Sequence, residues 1–220
     1  MTTTTTTARP DVNEMRVIHR VFRRELAALP GLVRRVPDGH TERADVVGGH
    51  ADFMLGALHS HHTGEDEFLW PLLLERAAPS TDLVTTMQSQ HEQVHEALDD
   101  CHTLLERWRA GADRAVGERL AAALEQLDHA LVEHLDQEER EILPLAEEHL
   151  TVAEWAKLGE HGRGSMPRSR LPLMFGAILE EADPSESARM LAEVPAPVRV
   201  LLRTVGARQY RRYISRVRAG

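Results

Sequence analysis

The chain has 220 residues, of which 42% are hydrophobic and 28% charged, with a formal net charge of -9 and a single cysteine. This length and composition fit a globular protein with one sizeable domain, or one domain with an appended subdomain. No run approaches the roughly 18 to 20 apolar residues that a membrane-spanning helix needs. One cysteine excludes an internal disulfide framework, which is typical of a reducing compartment, so we expect a cytoplasmic protein.

From residue 11 onward, apolar residues recur at spacings of three and four, which predicts helices, and no alternating β-branched run predicts a strand. The preceding residues, 1–10, lack the regions of a secretory signal and are expected to form a disordered tail. Four long apolar stripes end at Pro30, before Pro79, near Gly111 and around His149. Short connections between them predict an all-α fold, an up-down-up-down four-helix bundle over residues 11–149.

Residues 150–220 are predicted to add helices that pack on the bundle. A capping-box pattern at Thr151–Glu154 starts a short helix, and three more are expected over 171–181, 184–193 and 196–217. This region has 12 basic and 7 acidic residues, against 14 and 28 in residues 1–150. The split favours docking of the basic region on the acidic bundle and leaves a protein partner open. Nucleic acid and membranes are not expected partners, the former because the whole protein is acidic.

Each of the four stripes includes a histidine, and two of the stripes add a glutamate four residues later. In chain order these residues are His19; His61 and Glu65; His91; and His134 and Glu138. Both His-x-x-x-Glu motifs are followed by a proline six residues after the glutamate. The two motifs are 73 residues apart and the two remaining histidines 72, which indicates a two-fold pseudo-repeat of helix pairs.

Residues four apart share one helix face, so each motif directs an imidazole and a carboxylate to the same point in the bundle core. Six ligands exceed the four of a tetrahedral zinc ion, and carboxylates bridge metals, so the pattern indicates two metal ions. A mixed imidazole and carboxylate set favours iron over calcium or magnesium. The metal-free alternative would bury two carboxylates with only histidine to neutralise them, which costs several kcal/mol per ion.

These residues resemble the hemerythrin-like cation-binding domain, which is named for its His-His-Glu motif, over roughly residues 11–149. The resemblance implies a non-haem di-iron centre, with two iron ions bridged by carboxylates and held by histidines. Oxygen carriers of the family have a His-x-x-x-His pair on the third helix, which His91 and His95 reproduce. His95 lies one position off the stripe and is predicted as a seventh ligand. The carriers also use an aspartate five residues after the fourth-helix histidine, where this chain has Glu139; we favour Glu138, which lies on the stripe.

The resemblance implies a protein that binds or processes a small diatomic or peroxide ligand, O2, NO or hydrogen peroxide, in stress response or sensing. The alternative is an iron sensor or store whose metal occupancy controls a partner contact. Whether the protein is an enzyme is left open, with weak catalase-like turnover of peroxide as one expectation. Ferritin-like oxidation is disfavoured, because that class uses Glu-x-x-His motifs in carboxylate-rich sites.

Other polar residues surround the motif on the second helix. His62 and Asp66 are also four apart but lie about 100° round the helix from the motif, so a solvent-side pair is favoured over a ligand pair. His59 and His62 are candidate proton sources, which would favour reaction with oxygen or peroxide over stable oxygen carriage. Cys101 is expected to be a small core residue. The remaining histidines are expected to be exposed or hydrogen-bonded: His40, His50, His102, His129, His149 and His161.

Overall fold

The computed structural model describes residues 9–219, and every regular element in that range is helical, which confirms the all-α prediction. The tail predicted for residues 1–10 lies almost wholly outside the described residues. The elements are α1 (Asn13–Arg34), α2 (Thr41–Phe68), α3 (Trp70–Arg76), a 3-10 turn (Ala78–Ser80), α4 (Thr81–Gly111), α5 (Arg114–Gln137), a π-helical turn (Glu138–Ile142), α6 (Leu143–His149), α7 (Val152–Gly164), α8 (Leu171–Glu181), α9 (Pro184–Ala192), α10 (Ala196–Leu201), a second π-helical turn (Leu202–Gly206) and α11 (Ala207–Arg218). None of the helices described here is long and apolar enough to cross a lipid bilayer.

The four long helices pack in a closed ring. Helix α1 lies against α2 and α5, and α4 lies against the same two helices on the other side. Large side chains such as Phe22, Leu58, Leu98 and Leu127 are fully buried where the helices meet. Each such side chain contributes roughly 1.5 to 3 kcal/mol by leaving water, so the ring is held mainly by its apolar interior. The alternating up and down order of the helices stays a prediction.

The apolar interior is divided into two clusters, and the motif residues lie between them. On α1, for example, Met15 belongs to one cluster and Phe22 to the other, with His19 between them. On α4, Met87 and Val94 flank the histidine of that helix in the same way. A polar layer thus crosses the bundle core, sealed on both sides by apolar side chains.

The second and fourth long helices are distorted at equivalent places, just after the two motif glutamates. Pro71 and Pro144 have no N–H to donate, and a proline ring clashes with the carbonyl one turn earlier. At the first site α2 ends at Phe68 and α3 begins anew, rather than one helix running to Pro79 as predicted. At the second site the chain widens into the π-helical turn, a distortion often found at functional sites.

Two other predicted boundaries can be compared directly. Helix α1 does not end at Pro30 but continues through it to Arg34. Pro30, Leu32 and Val33 are all buried there, and this apolar burial offsets the hydrogen bond that the proline removes. The capping box at Thr151 is confirmed. Its hydroxyl accepts a bond from the Glu154 N–H at 3.3 Å, and the Glu154 carboxylate accepts one from the Thr151 N–H at 2.9 Å.

The C-terminal helices lie against the bundle. Helix α8 contacts α1, and α11 contacts both α8 and α2. The face that α11 buries carries Tyr210, Ile214 and Val217. A Cβ atom added at Gly176 of α8 would lie 2.3 Å from the Tyr210 ring, so this close approach of the two helices requires glycine.

Candidate metal centre

The polar layer between the two apolar clusters consists of histidines and glutamates removed from water. Six of them are at most 1% exposed: His19, His62, Glu65, His91, His134 and Glu138. The side chain of His61 is 11% exposed. Buried imidazoles and carboxylates are unfavourable unless they are paired, hydrogen-bonded or bound to a metal ion.

The ligand atoms of this layer fall into two groups of four, and in each group all of them lie within 4.8 Å of one another. The first group comprises His62, Glu65, His91 and His134; the second comprises His19, His61, Glu65 and Glu138. Glu65 belongs to both groups, so if each group held a metal ion, this carboxylate would contact both ions.

Helix α2 supplies both groups because neighbouring residues on a helix point about 100° apart. His61 faces α1, with its ring centre 5.2 Å from that of Phe22 and 5.3 Å from that of His19. His62 faces α4, where its ring stacks on His91 with centres 4.2 Å apart and planes inclined by 17°. Two adjacent histidines of α2 thus contact residues of two different helices, α1 and α4.

The prediction that His62 lies on the solvent side is wrong, since its exposure is 0%. The buried stripe of α2 runs through Leu58, His62 and Glu65, and Leu69 directly after the helix continues it; all four are fully buried. A signal was present in the sequence, because His62 follows Leu58 by four residues and precedes Glu65 by three. The predicted stripe runs through His61, but α2 packs between α1 and α4, so His61 and His62 each face a neighbouring helix.

Asp66 does not pair with His62. Its carboxylate accepts hydrogen bonds from Trp70 Nε1 at 2.8 Å and from His91 Nδ1 at 2.7 Å. Glu139, the fourth-helix acid at the position of the carriers' aspartate, accepts from His19 Nδ1 at 3.0 Å and lies outside both groups. Sequence reasoning gave neither acid this role.

The structure brings six of the seven predicted ligands together and leaves out His95. The ring centre of His95 lies 6.0 Å from that of His62, 6.3 Å from that of His91 and 5.0 Å from that of His59. Because His62 packs directly on His91, it fills the position that the prediction gave to His95.

Several buried atoms of the layer have no hydrogen-bond partner among the described residues. They are Nε2 of His19 and His61, both ring nitrogens of His62, and both carboxylate oxygens of Glu65 and Glu138. Leaving a buried polar group unsatisfied costs about 1 to 3 kcal/mol. So many orphaned atoms pointing at one another fit a group that the chain itself does not supply.

The distances between ligand atoms also fit a metal ion. Two atoms bound at about 2.1 Å to one ion lie about 3.0 to 3.5 Å apart. His91 Nε2 lies 3.2 Å from His134 Nε2 and 3.3 Å from Glu65 Oε2. In the other group, His19 Nε2 lies 3.3 Å from Glu138 Oε2.

The electrostatics of the layer agree with a cation. Burial lowers the pKa of His61 to about 4 and that of His134 to about 3, so these imidazoles are neutral, the form that binds metals. Burial and the neighbouring Glu65 raise the pKa of Glu138 well above its ordinary value. Oxygen atoms of Glu65 and Glu138 lie within 4.8 Å of one another. Two buried carboxylates at this separation do not both ionise unless a positive charge lies between them.

His91 is the exception among these histidines. Burial lowers its pKa, but the hydrogen bond to Asp66 and the nearby Glu65 outweigh burial and raise the pKa to about 9. Without a metal ion this imidazole therefore carries the balancing positive charge. A metal ion would replace the proton on Nε2 and leave the one on Nδ1 with Asp66.

Comparison with known families gives an independent result. A family model described as the Hemerythrin HHE cation binding domain matches residues 11–146, which is more than half of the chain and includes every residue of the two groups. No curated protein and no solved structure matched the chain.

Proposed function

Because the chain belongs to the hemerythrin HHE cation-binding domain family, we propose that it is a non-haem di-iron protein that binds or processes O2, NO or hydrogen peroxide in stress response or sensing. The observation that carries this proposal is the pair of ligand groups sharing Glu65. Imidazole and carboxylate together suit iron better than the all-oxygen shells preferred by calcium and magnesium.

The proposed ligands are the seven residues of the two groups, with His62 in the place predicted for His95. They are His19, His61, His62, Glu65, His91, His134 and Glu138. When bound, iron supplies redox chemistry and a coordination position for a small ligand. The protein contributes the apolar clusters on either side, which exclude water from the layer.

Of the two predicted proton sources, His59 is kept and His62 is replaced. His62 lies in a ligand group, so it is no longer a candidate proton source. His59 is exposed, and its ring centre lies 5.0 Å from that of the half-buried His95. These two imidazoles connect solvent with the edge of the layer, which supports reaction with oxygen or peroxide over stable oxygen carriage.

Stopped-flow spectroscopy of the reduced, iron-loaded protein tests the proposal. Mixing with O2 or hydrogen peroxide should oxidise both irons without a spectrum that reverts on flushing with nitrogen, and NO should give a distinct absorption change. Slow release of oxygen gas from peroxide would show weak catalase-like turnover. A spectrum that flushing reverses would make the protein an oxygen carrier, and no response to any of the three ligands would contradict the proposal.

A second candidate function is an iron sensor or store whose occupancy controls a partner contact. It is supported by the position of the C-terminal helices, because α8 lies on α1 and α11 lies on α2, two of the helices that supply ligands. Iron-dependent protection of residues 207–218 from hydrogen exchange, without any response to O2, NO or peroxide, would favour this function over the first.

A further inference from the structure

Asp66, the residue after the shared glutamate, holds one histidine of the layer from outside. His91 donates from Nδ1 to Asp66 Oδ1 at 2.7 Å, and its Nε2 lies 3.3 Å from Glu65 Oε2. Trp70 Nε1 donates to the same Asp66 oxygen at 2.8 Å and keeps the carboxylate in place. The two ring nitrogens of His91 thus lie close to two consecutive acids of α2, Nδ1 to Asp66 and Nε2 to Glu65.

Glu139, the residue after the second motif glutamate, makes the corresponding contact in the other group. His19 donates from Nδ1 to Glu139 Oε1 at 3.0 Å, and its Nε2 lies 3.3 Å from Glu138 Oε2. Here the outer carboxylate is held by two arginines, Arg16 at 3.3 Å and Arg23 at 3.5 Å.

The two arrangements are related by the pseudo-repeat. Asp66 and Glu139 are 73 residues apart, as are the glutamates before them, and His19 and His91 are 72 apart. In both halves an acid from the motif helix reaches a histidine on another helix, and in both the Nδ1–H donates outward. The same contact made twice, at matching positions and nearly matching distances, indicates a shared role.

An imidazole whose Nδ1–H is held by a carboxylate presents the Nε2 lone pair to a metal ion and binds it more strongly. We propose that Asp66 and Glu139 are a matched pair of positioning residues that fix His91 and His19 as Nε2 ligands of the centre. This inference rests on the proposed function, since it concerns the same centre.

Asp66 and Glu139 differ in how strongly they accept a hydrogen bond from their histidines. Trp70 is a neutral donor, whereas Arg16 and Arg23 carry positive charges that draw electron density from Glu139. Asp66 is therefore the better acceptor, which agrees with its shorter hydrogen bond. It follows that His91 is the more electron-rich ligand of the two, and that loss of Asp66 weakens metal binding more than loss of Glu139.

Cobalt(II) is the probe for this inference, because it shifts the proton NMR signals of imidazoles that bind it, including their N–H protons. Asp66→Asn and Glu139→Gln should each speed the solvent exchange of one shifted N–H signal, and the two signals should differ. Co(II) affinity should fall about 10- to 100-fold in Asp66→Asn and less in Glu139→Gln. The control variants Glu67→Gln and Glu141→Gln remove the same charge nearby and should change neither readout.

The charge-keeping variants Asp66→Glu and Glu139→Asp separate positioning from packing, since each should recover a protected N–H signal. The proposal is overturned if Asp66→Asn and Glu139→Gln keep every exchangeable signal and bind Co(II) like the parent protein. It is equally overturned if Asp66→Asn and Glu139→Gln lose Co(II) binding and the charge-keeping variants recover neither Co(II) binding nor a protected N–H signal.

The proposed function is checked separately with Glu65→Ala. If the parent protein binds no Co(II), or if Glu65→Ala binds it as well as the parent, the centre itself is wrong and this inference falls with it. If Glu65→Ala loses Co(II) while Asp66→Asn and Glu139→Gln change neither the N–H exchange nor the Co(II) affinity, only the positioning role is wrong.

Discussion

His62 makes the two ligand groups unequal. The position equivalent to it in the pseudo-repeat, 73 residues later, is Leu135, so the second half of the chain has no counterpart. Three imidazoles and one carboxylate form the group around His62, whereas two of each form the other. Because imidazoles bind as neutral ligands and carboxylates as anions, metal ions held by the two groups would differ in charge environment and therefore in affinity and potential.

Replacing His62 and His95 in turn tests which of them is a ligand. His62→Ala removes one of three imidazoles from its group, so the iron content should fall from about two towards about one per chain. His95→Ala should leave the iron content and the optical spectrum close to those of the parent. Iron analysis after anaerobic loading measures both, and the reverse result would restore His95 as the ligand.

Glu25 is a third buried glutamate, and it lies outside both ligand groups. It is 2% exposed, and its carboxylate accepts from His50 Nε2 at 3.1 Å and from Arg218 Nη2 at 3.1 Å. His50 in turn lies 2.9 Å from the Tyr213 hydroxyl, so its expected role as a hydrogen-bonded histidine is confirmed. Burial raises the pKa of Glu25, but His50 and Arg24 outweigh burial and lower it to about 2.

A pKa lowered from 4.5 to about 2 makes stability depend on pH in a defined direction. The charged form contributes to stability above the unfolded value of 4.5, and the contribution is lost as pH falls towards 2. Glu25→Gln should cost roughly 3 kcal/mol of unfolding free energy at neutral pH and progressively less below about pH 4.5. Urea unfolding at several pH values measures this.

Glu118→Gln is the control for that series, because its exposed ion pair with Arg34 is worth no more than about 1 kcal/mol. A cost of Glu25→Gln that stays constant from pH 7 to 3 would show that packing, not charge, accounts for the loss.

Among the helices, α11 shows how the C-terminal region is attached. Its buried face is apolar, and Arg43 of α2 donates to the carbonyl of Val217 at 2.6 Å, near the carboxyl end of the helix. A cation at that end also interacts favourably with the helix dipole. Attachment therefore depends on buried apolar area and on carbonyl capping more than on the summed charge of the region.

The apolar face of α11 gives a prediction about stability. Ile214 is 7% exposed and belongs to the bundle core cluster, so Ile214→Ala should cost about 2 to 4 kcal/mol. The control Val205→Ala changes a side chain that is 58% exposed and should cost less than about 0.5 kcal/mol. Thermal unfolding compares the two, and equal costs would mean that α11 adds nothing to the stability of the bundle.

For the whole molecule, the helical period predicted the fold class, and the C-terminal helix over 171–181 matches α8 in both bounds. The sequence also indicated which four helices carry polar residues inward. It did not show how far α2 turns between its two neighbours, because that depends on the packing of α1 and α4 around it. That rotation places His62 rather than His95 in a ligand group, and the apolar spacing of the sequence alone does not fix it.

The charge split of the chain has a similar explanation. The basic C-terminal region was expected to dock through its charges, and Arg218 does pair with Glu25 and Glu180. Other arginines of the same helix point outward, namely Arg208, Arg211, Arg212 and Arg216. Net charge cannot reveal which side chains face the bundle, and this outward basic surface is where a protein partner remains a proposal.

We propose that Glu65 bridges two metal ions, and the number of irons bound per chain distinguishes a bridged pair from a single ion. The metal-free parent protein and Glu65→Ala would be titrated anaerobically with Fe(II), separated from unbound iron, and analysed for iron per chain. The shared carboxylate predicts about two irons in the parent and less than one in Glu65→Ala, because both groups lose a ligand. One iron or fewer in the parent, or two in Glu65→Ala, would contradict it.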